Sequence, residues 1–138
     1  MKWNIAGAAI AASFAVACGA QGDRPDNASA FADIDAGRSG QEVIVDGVVT
    51  QVEDQVPGPY DTHEVFDIRV AVGAAVRDVE IADNVTIGEI APVHAGDDVI
   101  VKGVLEIDPS GPVIHWTHHD PEFRHETGFV ELGGKRYE

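Results

Sequence analysis

From Glu42 to Val52 the chain reads EVIVDGVVTQV, a β-branched run broken at its centre by Gly47. The pattern predicts a strand that bulges or bends sharply at Asp46-Gly47. PGPY, at Pro57 to Tyr60, is a turn. HEVFDIRVAV then places Phe66, Ile68, Val70 and Val72 on one face and His63, Val65, Asp67 and Arg69 on the other, the alternation of a half-buried strand. After Gly73, VRDVEIA alternates again with Val79 and Ile81 inward. Residues Asp83 to Gly96 are interrupted by Gly88 and Pro92 and offer an irregular connection or a single helical turn. DDVIVKGVLEI repeats the signature of the first strand around Gly103, and DPSGP turns the chain into VIHWTH. GFVEL, Gly133-Gly134 and KRYE predict a C-terminal hairpin.

Five strands, a central glycine in the first and fourth, and a long irregular link between the third and fourth fit an all-β fold. Its form is a small, closed five-stranded barrel of the OB type with an added C-terminal hairpin; a plain antiparallel sandwich is the alternative. The glycines allow the coiling by which one strand serves two sheet edges. Ahead of the barrel, Ser29 caps a predicted short helix through Ala36, stopped by Gly37. Gly19 to Asn27, GAQGDRPDN, is small and polar and reads as a tether reaching on the order of 15 to 20 Å.

The first residues follow a different pattern. Lys2 gives a positive start, Ile5 to Val16 is apolar apart from Gly and Ser, and Ala15-Val16-Ala17 presents small residues at a cleavage-site spacing. This is the pattern of a secretory signal peptide, and the run is shorter than the roughly 20 residues of a membrane-spanning helix. Cys18, the only cysteine, follows at once. Ala15-Val16-Ala17-Cys18 resembles the lipobox of bacterial lipoprotein precursors, with Ala15 where leucine is usual. A lone cysteine in an exported chain otherwise implies intermolecular pairing or a free thiol, so a lipid on Cys18 is the economical reading. Gly19, in place of the aspartate of inner-membrane retention, points to the outer membrane. The chain thus divides into a signal peptide (1–17), a lipid-anchor cysteine with a flexible tether (18–28) and a barrel domain (29–138) on the periplasmic face of the envelope.

The 138 residues carry a net charge of −15, and loss of the signal with Lys2 makes it −16. Nucleic acid is an unfit partner for such a surface, because its affinity comes from phosphates neutralised by Lys and Arg. Anionic lipid is repelled as well, leaving the N-terminal lipid as the membrane contact. Solubility in a crowded envelope explains the charge without a ligand.

The candidate chemistry lies in HWTHHDPEFRH, His115 to His125, which holds four of the six histidines. Read as a strand through His118, the segment points Ile114 and Trp116 inward and His115, Thr117 and His119 outward. Asp120-Pro121-Glu122 then has the form of a helix start. Neutral imidazoles bind divalent zinc or copper. His115, His119 and His125 are the leading ligands, His118 and Asp120 alternates or supports, and His63 a neighbour at the same rim. Two other readings stay open. Trp116 is core, Asp120 caps a turn and the histidines bond backbone, giving a structural lock in a module that meets an envelope protein; or a metal-bound water makes the protein a hydrolase. Catalysis does not lead, for the chain has no nucleophile elbow, phosphate loop or dinucleotide fingerprint.

VIHWTHHDP followed by Arg124-His125, Gly128-Phe129 and Gly134-Lys135-x-Tyr137, with His63-Glu64-x-Phe66 and GDDVIVKG at Gly96 to Gly103, resembles the bacterial family of the domain of unknown function 3465. The resemblance covers Glu42 to Tyr137. It implies a small, exported, OB-like protein with no assigned activity, and it singles out His63, Phe66, His115, Trp116, Thr117, His118, His119, Asp120, Pro121, Arg124 and His125. The chain departs from the family pattern at Glu122-Phe123 and at Phe129, where tryptophan is common.

Overall fold

The structure, a computed structural model, describes residues 22–138, so the expected signal peptide, Cys18 and the first three residues of the expected tether, 19–21, lie outside the described residues. One helix, α1 (Asn27–Asp35), precedes strands β1 (Gln41–Val52), β2 (Val56–Pro57), β3 (Thr62–Val72), β4 (Ala75–Asn84), β5 (Asp98–Asp108), β6 (Gly111–His115), β7 (Phe129–Leu132) and β8 (Lys135–Tyr137).

The strands run β1-β3-β4-β6-β5 and close because β5 returns to β1. The β4–β6 pair is parallel and the others are antiparallel, which is the OB arrangement. The β7–β8 hairpin extends the sheet beyond β5, and β2 pairs with the start of β3.

Closure depends on β1 pairing on both sides. Gln41 to Val48 lie against β5, Gly47 to Val52 against β3, and Gly47 and Val48 have partners in both. A Cβ at Gly47 would stand 2.7 Å from the Arg69 carbonyl oxygen, so close backbone approach requires glycine there. At Gly103 in β5 a Cβ would collide with the His115 carbonyl. The expected bulge at Asp46-Gly47 is displaced: the register shifts between Val49 and Gln51, while Gly47 is the crossing point.

The alternation fills the barrel with Val45, Val49, Phe66, Ile68, Val70, Ile81, Val101, Leu105 and Ile114, all within 1 % of full burial. Val72, expected inward, is 36 % exposed because β3 runs past the barrel end. That end is closed by Ala30 and Phe31 of α1. The helix starts before the predicted Ser29 cap: the Asp26 carboxylate accepts the Ser29 N–H at 3.0 Å, and Ser29 Oγ donates to the same carboxylate at 2.7 Å. Arg77 lies 4.9 Å over the Phe31 ring and pairs with Asp35. The segment read as tether is docked from Asp23 onward, where one carboxylate reaches Lys102 at 3.2 Å and Arg136 at 2.8 Å.

The opposite end is closed by the 85–97 link, whose Ala91 and Val93 enter the core, and by the loop after β6.

Candidate functional site

β6 stops at His115 because Trp116 takes φ +61°, a left-handed conformation that is costly for a bulky side chain. The turn reverses the expected alternation. Trp116 is 42 % exposed, whereas Thr117, read as lying on the outer face, is buried, and His118 is buried as well. The glycine at 128 lets the returning chain lie against this turn, since a Cβ there would stand 2.7 Å from the Lys102 carbonyl oxygen.

Asp120 starts no helix. Its Oδ1 accepts the Glu122 N–H at 2.8 Å, and Oδ2 accepts those of Arg124 and His125, the latter at 3.0 Å. These bonds gather residues 120–125 into a turn, and the Gly128 N–H donates to the His118 carbonyl at 3.0 Å to close the loop. Burial alone would raise the Asp120 carboxyl, but the three N–H donors hold it below the ordinary range.

The histidines fall into separate settings. His118 Nδ1 lies 2.6 Å from the His119 carbonyl oxygen and His125 Nδ1 2.6 Å from that of Glu126. A carbonyl only accepts, so each Nδ1 carries a proton and, in the neutral ring, Nε2 keeps its lone pair. The two rings meet edge to face at 5.3 Å, with Trp116 5.2 Å from His125. His125 Nε2 is 3.8 Å from Asp120 Oδ2. His119 lies apart, beside Ile87, Glu89 and Glu138, and does not join His115.

His115 instead faces His63. A cleft of about 80 Å³ is lined by Asp61, His63, Asn84, His115, Trp116 and His118. Its floor is Ala82, on the strand between the two that carry His63 and His115, and the small side chain leaves room between the imidazoles. His63 Nδ1 stands 3.5 Å from Asp61 Oδ1, and Asn84 Nδ2 donates to the other Asp61 oxygen at 3.0 Å. Burial pushes the His115 and His118 imidazoles below their ordinary values, which favours the neutral, ligating form. Among the described residues, no three His, Cys, Asp or Glu side chains already converge as a formed metal site.

Two buried acids beneath the cleft escaped the sequence reading. Glu64 and Asp83 are opposite one another across β3 and β4, on the inner face. Asp83 Oδ1 accepts the Thr117 hydroxyl at 2.8 Å, Oδ2 has no partner among the described residues, and Glu64 Oε2 accepts the Ala91 N–H at 3.2 Å. Burial pushes Glu64 up to about 7, with the Asp83 charge adding to it, and Asp83 up to about 6. The signal was parity: Glu64 is in step with Phe66 and Ile68, and Asp83 with Val79 and Ile81.

No curated protein matches this sequence. The family model described as protein of unknown function (DUF3465) matches residues 24–138, which takes in α1 as well as the barrel and the histidine loop. The chain belongs to that family.

Proposed function

We propose that this domain binds a single divalent transition-metal ion, zinc or copper, and that it does so as an exported protein anchored by a lipid on Cys18. The cleft over Ala82 carries the reading: three imidazoles, from β3, β6 and the 116–128 loop, border a space of about 80 Å³. Such a volume suits an ion with a water and is too small for an organic substrate. Zinc–imidazole bonds are about 2.0 to 2.1 Å, so binding requires His63 and His115 to rotate toward one point, with His118 as the third donor. The His119 carbonyl behind His118 supplies the outer hydrogen bond that fixes a ligating tautomer, and Asp61 stands 3.5 Å behind His63 as its charged neighbour. His125 and Trp116 support the His118 ring, and Asp120 holds the loop that carries it.

A structural lock is the second reading, favoured by the 2 % exposure of His118. The two separate in an experiment on protein purified without a His tag. Zinc and copper are titrated into wild type and His63→Ala/His115→Ala, and both are melted in chelator. Stoichiometric binding lost in the variant, with equal melting without metal, supports the site. Absence of binding by wild type, or a variant that binds equally well, rejects it.

A further inference from the structure

Where β1 leaves β3 to follow β5, the outer surface opens into a groove of about 460 Å³, at the opposite end of β3 from the histidine cleft. Val48, Ala71 and Ile100 line it, and the Gly133-Gly134 turn forms a wall without side chains. Val48 is 41 % exposed, so apolar floor faces water.

The register sets the groove's charge. Asp46 pairs with Ile100, and Val48 with Asp98. On the outer face two carboxylates and two aliphatic side chains therefore stand at alternate corners of a square, with diagonal neighbours roughly 7 to 8 Å apart. The basic groups nearby are engaged elsewhere: Arg69 binds Asp78 through two nitrogens, and Arg136 binds Asp23 and Glu131. Asp46 receives only the neutral amide of Asn27, at 2.6 Å. Two negative charges thus border an apolar floor with no cation between them among the described residues.

We propose that this groove binds a small organic cation, an amine or guanidinium on an apolar stem. The cationic head lies between Asp46 and Asp98 and the stem rests on Val48 and Ile100. The volume falls within the range of about 300 to 1,000 Å³ of small-molecule sites. The net charge of the chain raises the local concentration of cations and opposes anions. Neither half of the site suffices alone, because an exposed carboxylate pair binds amines weakly and an apolar floor does not select for charge. The proposal is independent of the metal reading, and His63→Ala/His115→Ala should bind the amine as wild type does.

The test is a two-dimensional amide NMR titration of metal-free protein with millimolar hexylamine, hexanol or hexanoate. Hexylamine is expected to shift Val48, Ile100, Gly133 and Gly134, with hexanol and hexanoate leaving them in place. Asp98→Asn, a change at an exposed side chain, should weaken hexylamine by about tenfold at unchanged melting temperature, since one of two charge partners is lost. Equal shifts with hexanol, shifts scattered over the acidic surface, or an Asp98→Asn affinity equal to wild type would each overturn the proposal. So would a lysine-bearing apolar peptide that binds this groove far more tightly than any free amine, because the occupant would then be a protein segment.

Discussion

The side-chain amide of Asn27 pairs with Asp46 as a neighbouring strand would. Its Oδ1 accepts the Asp46 N–H at 3.0 Å and its Nδ2 donates to the Asp46 carbonyl at 3.1 Å, and to the Ala71 carbonyl at 3.1 Å. One side chain thereby satisfies the backbone groups that β1 and β3 expose as they diverge. Asn27→Ala should cost about 1 to 2 kcal/mol, the penalty of leaving such groups without partners at a half-buried position. Asn27→Asp should be little better, because it cannot donate to the carbonyls. Denaturant unfolding measures both, and a change below a few tenths of a kcal/mol would show that water replaces the amide without loss.

The buried acid pair sets a pH dependence. Folded Glu64 holds its proton up to about 7 and Asp83 up to about 6, against ordinary values of 4.5 and 3.8. The folded state therefore binds these protons more tightly than the unfolded chain does. Their contribution is greatest below the ordinary values and is lost as pH rises from about 4 through about 7. Glu64→Gln removes part of this, so the variant should gain stability relative to wild type between pH 5 and 8. A difference between the two that stays flat across this window would refute the assignment, while groups common to both cancel.

Asp120 acts as the staple of the 116–128 loop. Asp120→Ala leaves the N–H groups of Glu122, Arg124 and His125 without their acceptor. Faster amide exchange is expected at those three positions, with protection in β4 and β5 retained. Metal affinity should fall with it if His118 is a donor, since the loop would no longer fix the His118 ring.

Trp116 is, besides Trp3, the only tryptophan of the chain. Its ring borders the cleft, so its emission reports on the site. Copper(II) should quench it to completion near one equivalent, excess chelator should restore it, and His63→Ala/His115→Ala should abolish the effect. Trp116→Gly provides a separate check on the backbone. Relief of the φ +61° conformation is worth about 1 kcal/mol and offsets part of the lost ring packing, so Trp116→Gly should be more stable than Trp116→Ala.

The barrel was readable because its strands are long and alternate, and because Gly47 and Gly103 mark where backbones must approach. The Gly133-Gly134 turn announced the last hairpin for another reason, since both residues take positive φ, 59° and 80°. The end of β6 was not readable: nothing local to Trp116 favours a left-handed backbone, and tertiary closure of the 116–128 loop imposes it. That single residue turned its own ring outward, moved Thr117 into the interior and put His119 on another surface. Asp120-Pro121 carried a true capping signal, but the capped unit is a turn, since Gly128 must return to pack on Trp116. His63 and His115 lie 52 positions apart in the sequence, and only the order β3-β4-β6 shows that they share a cleft.

The docking of Asp23 onto Lys102 and Arg136 carries a consequence for posture. In the proposed lipid-anchored form four residues separate Cys18 from Asp23, so the five steps between them span at most roughly 18 Å. The barrel would ride close to the bilayer with its β5–β7–β8 flank turned toward the lipid headgroups, and its heading there would be set by two ion pairs. High salt or loss of Asp23 would free that heading while leaving the anchor in place.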